Sequence, residues 1–245
     1  MKVLKHLAAV SVLVSTAFAQ QDHGLFVSAS GGYAKLSVDD FTQVTSYGET
    51  LRTTDGDDTV GFVRGELGYR LNPRWDLALG YTDYGTAEVQ VSYPKYPGIF
   101  SILPLPDYSR NVMKYDATRI ALIPSYRFEL GDKISLRVRA GVTYDETKAH
   151  FETTYYQVFS GPPPGTFSKT FSETKNKSWN YLLSVGGEYA ITPHLSIGIT
   201  ATYAPFKMKV ASEQIAGIGA GTTRPSPEVV DVNALEGAFV LTWRL

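Results

Sequence analysis

The sequence predicts an all-β chain: an eight-stranded antiparallel up-and-down barrel that crosses a membrane with its strands. Three observations predict it. The first is a run of roughly ten residues in which apolar and polar side chains alternate, repeated about eight times along the chain. In Ile134-Ser-Leu-Arg-Val-Arg-Ala-Gly-Val-Thr-Tyr144, the residues Ile134, Leu136, Val138, Ala140, Val142 and Tyr144 share one face. Ser135, Arg137, Arg139, Gly141 and Thr143 share the other. A period of two is that of a β-strand, and unlike faces mean unlike surroundings. The second observation is a strict alternation of short and long connections. The third is a placement of aromatic residues at both strand ends, with arginines on the minority face. A soluble sandwich shows the first feature but has no reason to segregate its loops.

The chain start points the same way. Lys2, Lys5 and His6 form a basic beginning, Leu7 to Ala19 an apolar run, and Ala17-Phe18-Ala19 a small-x-small cleavage site. Residues 1–19 therefore read as a signal peptide, and 20–245 as one outer-membrane barrel domain beginning near Gln20. The apolar run is shorter than the about 20 residues a spanning helix needs. Removing Lys2 and Lys5 leaves 21 basic against 24 acidic residues, a formal charge of −3. That is too mild to call for nucleic acid. With no cysteine, stability must come from strand pairing and burial.

Eight strands can be set out in order. The first is roughly Gly24–Leu36, with Leu25, Val27, Ala29, Gly31 and Tyr33 on one face. The second, Val60–Leu71, turns Val63, Gly65, Leu67, Tyr69 and Leu71 outward. The third, Trp75 to about Val91, faces Trp75, Leu77, Leu79 and Tyr81 outward, and Asp83 to Gly85 then disturb its phase as a bulge would. The fourth, about Tyr115–Leu130, exposes Ile120, Leu122, Pro124, Tyr126 and Phe128, although Pro124 removes a ladder donor. The fifth is Ile134–Tyr144. The sixth, Trp179–Ile191, aligns Trp179, Tyr181, Leu183, Val185, Gly187 and Tyr189. The seventh is Leu195–Tyr203, and the eighth, Asn233–Leu245, aligns Leu235, Gly237, Phe239, Leu241, Trp243 and Leu245.

Three connections are short: Asn72–Arg74, Gly131–Lys133 and Thr192–His194. Four are long: about Val38–Thr59, Ser92–Lys114, Asp145–Ser178 and Ala204–Val232. In outer-membrane barrels the short turns are periplasmic and the long loops extracellular, which puts both ends of the mature chain in the periplasm. Tyr69, Trp75, Tyr126, Phe128, Tyr189 and Trp243 lie near the short-turn ends. Tyr33, Tyr81, Tyr144, Trp179, Tyr181 and Tyr203 lie near the long-loop ends. Two belts of rings at opposite ends are what two headgroup layers select, whereas a soluble sheet would use the same rings as cross-strand pairs.

Two hairpins carry a family resemblance. Gly65-Glu-Leu-Gly-Tyr-Arg-Leu-Asn-Pro-Arg-Trp-Asp-Leu-Ala-Leu-Gly-Tyr-Thr-Asp-Tyr-Gly85 and Val185-Gly-Gly-Glu-Tyr-Ala-Ile-Thr-Pro-His-Leu-Ser-Ile-Gly198 resemble periplasmic hairpins of the OmpA-like and OmpX/Opa-like eight-stranded outer-membrane barrels. The resemblance covers nearly the whole mature chain and implies a barrel rather than an activity. The chain departs from that family in ending on Leu245, with Trp243 two positions earlier, where an aromatic terminus is usual. No periplasmic wall-binding domain follows the last strand in this sequence, which disfavours a wall-anchoring role.

The minority face holds the candidate site. Arg64, Glu66, Arg70, Asp76, Arg119, Arg127, Arg137, Arg139, Glu188, Glu236 and Arg244 point inward if the phases hold. An eight-stranded barrel is just wide enough for side chains to fill it, so these charges should pair across the lumen. They read as a polar plug, or as a narrow gated pore whose pairs exchange partners. The long loops are the second candidate. Tyr93, Tyr96, Phe100 and Tyr108 occupy one, and Phe151, Tyr155, Tyr156, Phe159 and Phe167 another, each with several prolines. They read as a contact surface for protein or glycan, or as rings packed over the mouth.

An enzyme is not expected. His194 and Ser196 have the His-x-Ser spacing of the lipid A deacylase PagL, but His194 falls in a turn and Ser196 faces the lumen. No metal-ligand spacing or phosphate-binding loop occurs, and no cofactor is expected. The expected function is a monomeric surface-exposed structural or adhesin-like protein, in contact with outer-membrane lipid and lipopolysaccharide. The alternative is a small-solute or hydrophobic-compound channel resembling OmpW, against which the charged minority face argues.

Overall fold

The computed structural model describes residues 23–38, 42–44, 50–55, 57–92, 109–157, 165–210 and 228–245. The expected signal peptide lies outside these residues. Eight staves form the wall: β1 Gly24–Val38, β2 Asp57–Arg70, β3 Trp75–Tyr84 continued by Ala87–Ser92, and β4 Ser109–Glu129. They are followed by β5 Ile134–Gln157, β6 Gly165–Ala190, β7 Leu195–Tyr203 continued by Phe206–Val210, and β8 Glu228–Arg244. Each stave pairs antiparallel with its chain neighbours, and β1 pairs with β8 from Phe26↔Arg244 to Val38↔Val232. That last ladder closes the ring, so the predicted eight-stranded up-and-down barrel is the fold.

Period-two burial follows from the sequence alternation. In β3 every second residue from Asp76 to Tyr84 is buried, and Trp75, Leu77, Leu79 and Tyr81 are exposed. The outer surface is a continuous apolar girdle that includes Val63, Leu67, Ile120, Leu122, Val142, Leu183, Ile199, Leu235 and Phe239. A monomer in water rarely exposes an apolar patch beyond a few hundred Å². This surface therefore requires an apolar solvent.

Two of the three short turns share one device. Asn72 Oδ1 accepts from the amides of Arg74 and Trp75, both at 2.9 Å. Thr192 Oγ1 does the same for His194 at 3.3 Å and Leu195 at 3.0 Å. Pro73 and Pro193 follow these residues, and a side-chain acceptor two or three residues upstream is the usual way to hold such a turn. The third turn is closed by the Leu130 amide on the Ile134 carbonyl, 2.9 Å.

Two irregularities lie where the residue chemistry placed them. Asp83 pairs with Thr118 and Ala87 with Tyr115, so β3 carries one residue more than β4 over this interval. The bulge reverses the side-chain phase, which lets both Tyr84 and Ala87 face inward. At Pro124 the β4–β5 ladder steps from Leu122↔Val142 to Ser125↔Arg139, while Pro124 still lies opposite Leu77 of β3. The ladder resumes in register beyond it.

The long connections are corrected. Asp145–Ser178 is largely a hairpin: β5 and β6 stay paired from Ile134↔Tyr189 to Gln157↔Gly165, with one register shift near Tyr155. Ser109–Lys114 belongs to β4, Phe206–Val210 to β7, and Glu228–Val232 to β8. Two short strands, Thr42–Val44 and Thr50–Asp55, lie within the first long connection, and the second pairs with Ala87–Ser92. The reason is chemical: past the girdle the outward residues are Lys114, Asp116, Lys148, Lys175, Lys177, Lys207 and Asp231. An apolar-out template stops there although strand pairing does not. Tyr93, Tyr96, Phe100, Tyr108 and Phe159 lie outside the described residues.

Closure depends on Gly32. An ideal Cβ there would sit 1.9 Å from the Gly237 carbonyl oxygen and 2.7 Å from Ala238 Cα, both backbone atoms of β8. Gly32→Val is expected to abolish the compact, heat-modifiable band on an unboiled gel. Gly65→Ala, where nothing lies within 4 Å of the added carbon, should keep it.

Candidate functional site: a filled lumen and a projecting hairpin

The lumen is layered along the barrel axis. Its middle layer centres on Arg119, 1% exposed. Arg119 Nε donates to Asp145 Oδ1 at 2.5 Å, and Nη1 to the Tyr84 hydroxyl at 2.6 Å and Glu236 Oε1 at 3.2 Å. Its Nη2 donates to the Ala204 carbonyl at 3.0 Å and the Pro205 carbonyl at 3.4 Å. The planar fork of one guanidinium thus ties β3, β5, β7 and β8 to β4. Glu236 also accepts from Arg64 and from the Tyr84 hydroxyl. Arg64 Nε donates to Thr82 Oγ1 at 2.8 Å. Asp145 is completed by Thr143 and Asn180, both at 2.8 Å. Beside this group, Arg139 donates to Glu66 Oε2 at 2.6 Å and the Ser28 hydroxyl to the same oxygen at 3.1 Å. Three arginines face three carboxylates here, at short contacts.

Toward the turns the pairing loosens. Asp76 receives Arg70 at 3.3 Å, Arg127 at 3.3 Å and Arg137 at 3.2 Å. Glu188 receives Arg127 at 3.4 Å, Arg137 at 3.2 Å and the Thr242 hydroxyl at 3.3 Å. Among the described residues, the Arg244 guanidinium donates only to the Pro193 carbonyl, at 3.4 Å. Every one of these contacts is longer than the 2.7–2.9 Å usual for charge-assisted bonds.

Toward the loops the inner face becomes apolar. Leu36, Val38, Phe62, Met113, Tyr115, Phe206, Met208 and Val232 pack into one buried cluster over the charged layers. Arg119 stands between the two chemistries, its guanidinium 5.5 Å from the Tyr84 ring centre and 5.9 Å from Phe206.

All eleven charged residues singled out from the sequence point into the barrel; nine are buried, and Arg70 and Arg244 are half-buried at the turn end. The structure adds Asp145, Tyr84, Thr82 and Ser28, which the sequence does not single out, and Thr143, which the alternation already places on the minority face. Asp145 is the instructive miss. The apolar run ends at Tyr144, which marks Asp145 as the start of a loop, yet Asp145 continues the inward phase of Arg137, Arg139 and Thr143. The apolar layer was missed too. Its sequence signal is an inversion: in Phe206-Lys-Met-Lys and Met113-Lys-Tyr-Asp-Ala117 the apolar residues take the inward positions.

On the outer surface, Tyr33, Tyr69, Trp75, Tyr81, Tyr189, Tyr203 and Trp243 are exposed, and Trp179 is 72% exposed. Tyr126 and Tyr144 are half-buried under neighbours. Trp75–Tyr126 at 5.0 Å and Tyr126–Phe128 at 4.7 Å mark the turn end; Tyr144–Trp179 at 5.1 Å and Tyr181–Tyr203 at 6.3 Å mark the loop end. His194 is exposed in its turn, whereas Ser196 is buried inside the barrel.

The sequence matches the family described as outer membrane protein beta-barrel domain over residues 6–223. Among solved structures it is similar to the Neisserial surface protein A, with 17% identity, 92% of this chain and 100% of that chain covered, and a TM-score of 0.51. It is also similar to the outer membrane protein OprG from Pseudomonas aeruginosa, with 15% identity, 91% and 97% covered, and a TM-score of 0.52. At these identities the likeness is one of fold. No curated protein matches the chain.

Removing the Arg119 head leaves Asp145 buried without its arginine and Glu236 with Arg64 alone. Arg119→Met should cost about 3–5 kcal/mol of stability in urea unfolding of the detergent-folded barrel. Lys177→Ala, which breaks only the exposed 3.5 Å contact with Glu146, should cost less than about 1 kcal/mol.

Proposed function

Because the chain belongs to the outer membrane protein β-barrel family, it is an integral protein of a bacterial outer membrane, and we propose that it serves there as a closed, surface-exposed contact protein. One observation carries this reading. The lumen is filled by stacked charged and apolar layers, while the β5–β6 ladder continues from Asp145↔Ser178 to Gln157↔Gly165 beyond the Tyr144–Trp179 ring pair. About 13 residues at about 3.4 Å each, tilted by about 40°, carry the hairpin roughly 30 Å past that pair. The polar headgroup layer adds only about 5–8 Å on each side of the hydrocarbon. The hairpin therefore clears the lipid and offers a rigid arm.

In this reading the hairpin end is extracellular, and the tight turns and both ends of the mature chain are periplasmic. The two aromatic belts sit at the headgroup layers, and the girdle contacts lipid and the acyl chains of lipopolysaccharide. The barrel is a monomer. The partner is an extracellular protein or glycan, since paired strands projecting from a rigid wall position contact residues without the ordering cost of a free loop. His194 and Ser196 have no catalytic part in it. A solute channel is the second reading, favoured by the apolar layer at the loop end, which would suit a hydrophobic solute.

Cells displaying the full chain should bind host matrix, and a variant lacking 150–173, rejoined at the Ala149↔Thr174 pair, should lose most of that binding while still folding. Equal binding by both overturns the contact reading. In planar bilayers the purified barrel should give no steady conductance; a stable, reproducible one favours the channel.

A further inference from the structure

The lumen's charges do not balance in the same way at every height. In the middle layer, Arg64, Arg119 and Arg139 meet Glu66, Asp145 and Glu236. Nearer the turns, among the described inward residues, Arg70, Arg127 and Arg137 share only Asp76 and Glu188, and Arg244 forms an ion pair with neither. Two guanidinium charges are therefore left over in a half-closed space. The geometry of the donors agrees. Among the described residues, Arg127 Nε, Arg137 Nε and Arg244 Nε make no hydrogen bond, like Arg139 Nε of the middle layer, and neither does the Ser196 hydroxyl. Arg127 and Ser196 are 5% and 1% exposed, so neither loose donor is simply hydrated at a surface. Unmade bonds at such depth are costly, more so for charged donors.

Arg127, Arg244 and Ser196 face one opening. A cavity of about 430 Å³ lies at the turn-end mouth, lined on its inner side by Arg70, Arg127, Arg244, Ser196 and Glu188. Glu188 lies 3.4 Å from Arg127 and 3.2 Å from Arg137, although its Oε2 accepts no hydrogen bond among the described residues. The rim carries Glu129 and Asp132 against Lys133, a net −1 that offsets one of the two inner charges and leaves the lining positive. Leu245 is not among the lining residues.

We propose that this mouth is a binding site for a doubly charged oxyanion of phosphate type, either free phosphate or a small phosphomonoester. Guanidinium forks present paired donors that match two oxygens of such a group, and a hydroxyl supplies a further bond. A tetrahedral oxyanion counters the inner surplus and offers several acceptor oxygens to these donors at once, which a halide does not. The site needs neither loop contact nor a fixed orientation in the membrane, so it stands or falls separately from the contact function.

The test is thermal unfolding of the full-length barrel in neutral detergent, at constant ionic strength held with chloride. Inorganic phosphate should raise the unfolding temperature saturably, and glycerol phosphate should do so if the natural ligand is a phosphomonoester. Arg244→Gln should weaken the apparent Kd about 10-fold or more, the loss expected for one charge-assisted bond. Ser196→Ala should weaken it about 5-fold without lowering stability in phosphate-free buffer, since that hydroxyl makes no bond to lose. A shift no larger than chloride produces, an equal or larger shift with succinate, or an unchanged shift in both variants would overturn the proposal.

Discussion

Everything in this molecule depends on the ladder between its first and last strands. Inside hydrocarbon an unpaired backbone amide has no water to turn to, so a sheet survives only if it has no edge. The Phe26↔Arg244 to Val38↔Val232 pairing removes that edge. It requires the β1 and β8 backbones to approach so closely at Gly32 that no side chain fits. Once the ring is shut with eight staves its bore is set, and a bore of that size must be filled by side chains. The charged network and the apolar cluster above it are two ways of filling the same tube.

Their order along the axis follows from what lies outside the wall. Beside the girdle, the apolar side of each strand is taken by lipid, which leaves the polar side for the interior, and buried charges there must find partners. Past the aromatic belt the wall emerges into water, and the preference inverts. Lys207, Lys209 and Asp231 turn outward while Phe206, Met208, Val230 and Val232 turn in. One continuous barrel thus has a polar core where its surroundings are apolar and an apolar core where they are polar. Arg119 belongs to both, bonding carboxylates on one side and lying beside aromatic rings on the other.

The comparison with relatives supports the same division between scaffold and role. The resemblance to OmpA-like and OmpX-like barrels rested on two turn hairpins, and the family match and the fold agree with it. Those hairpins are where wall chemistry is most constrained, because Asn72 and Thr192 must each hold two amides for the strands to re-enter in register. Projecting segments answer to their partners instead, and a shared fold at 15–17% identity says nothing about what those partners are.

The strands within the girdle were legible from residue order alone. Phase is local, and a one-residue slip would have put Arg127 or Arg137 into lipid and Leu122 or Val138 into the lumen. The bulge after Asp83 and the ladder gap at Pro124 were legible for the same reason, each being a property of one or two residues. Strand length beyond the belt was not, because pairing there no longer carries the apolar-out mark used to find it; Asp145 was lost in this way. Which arginine meets which carboxylate was out of reach as well. Arg64 and Glu236 lie 172 positions apart, and only closure of the ring brings them together. The same holds for the surplus of guanidinium groups at the turn end. Local periodicity sorts side chains into inside and outside, but their partners are set by stagger around the cylinder, which no single strand contains.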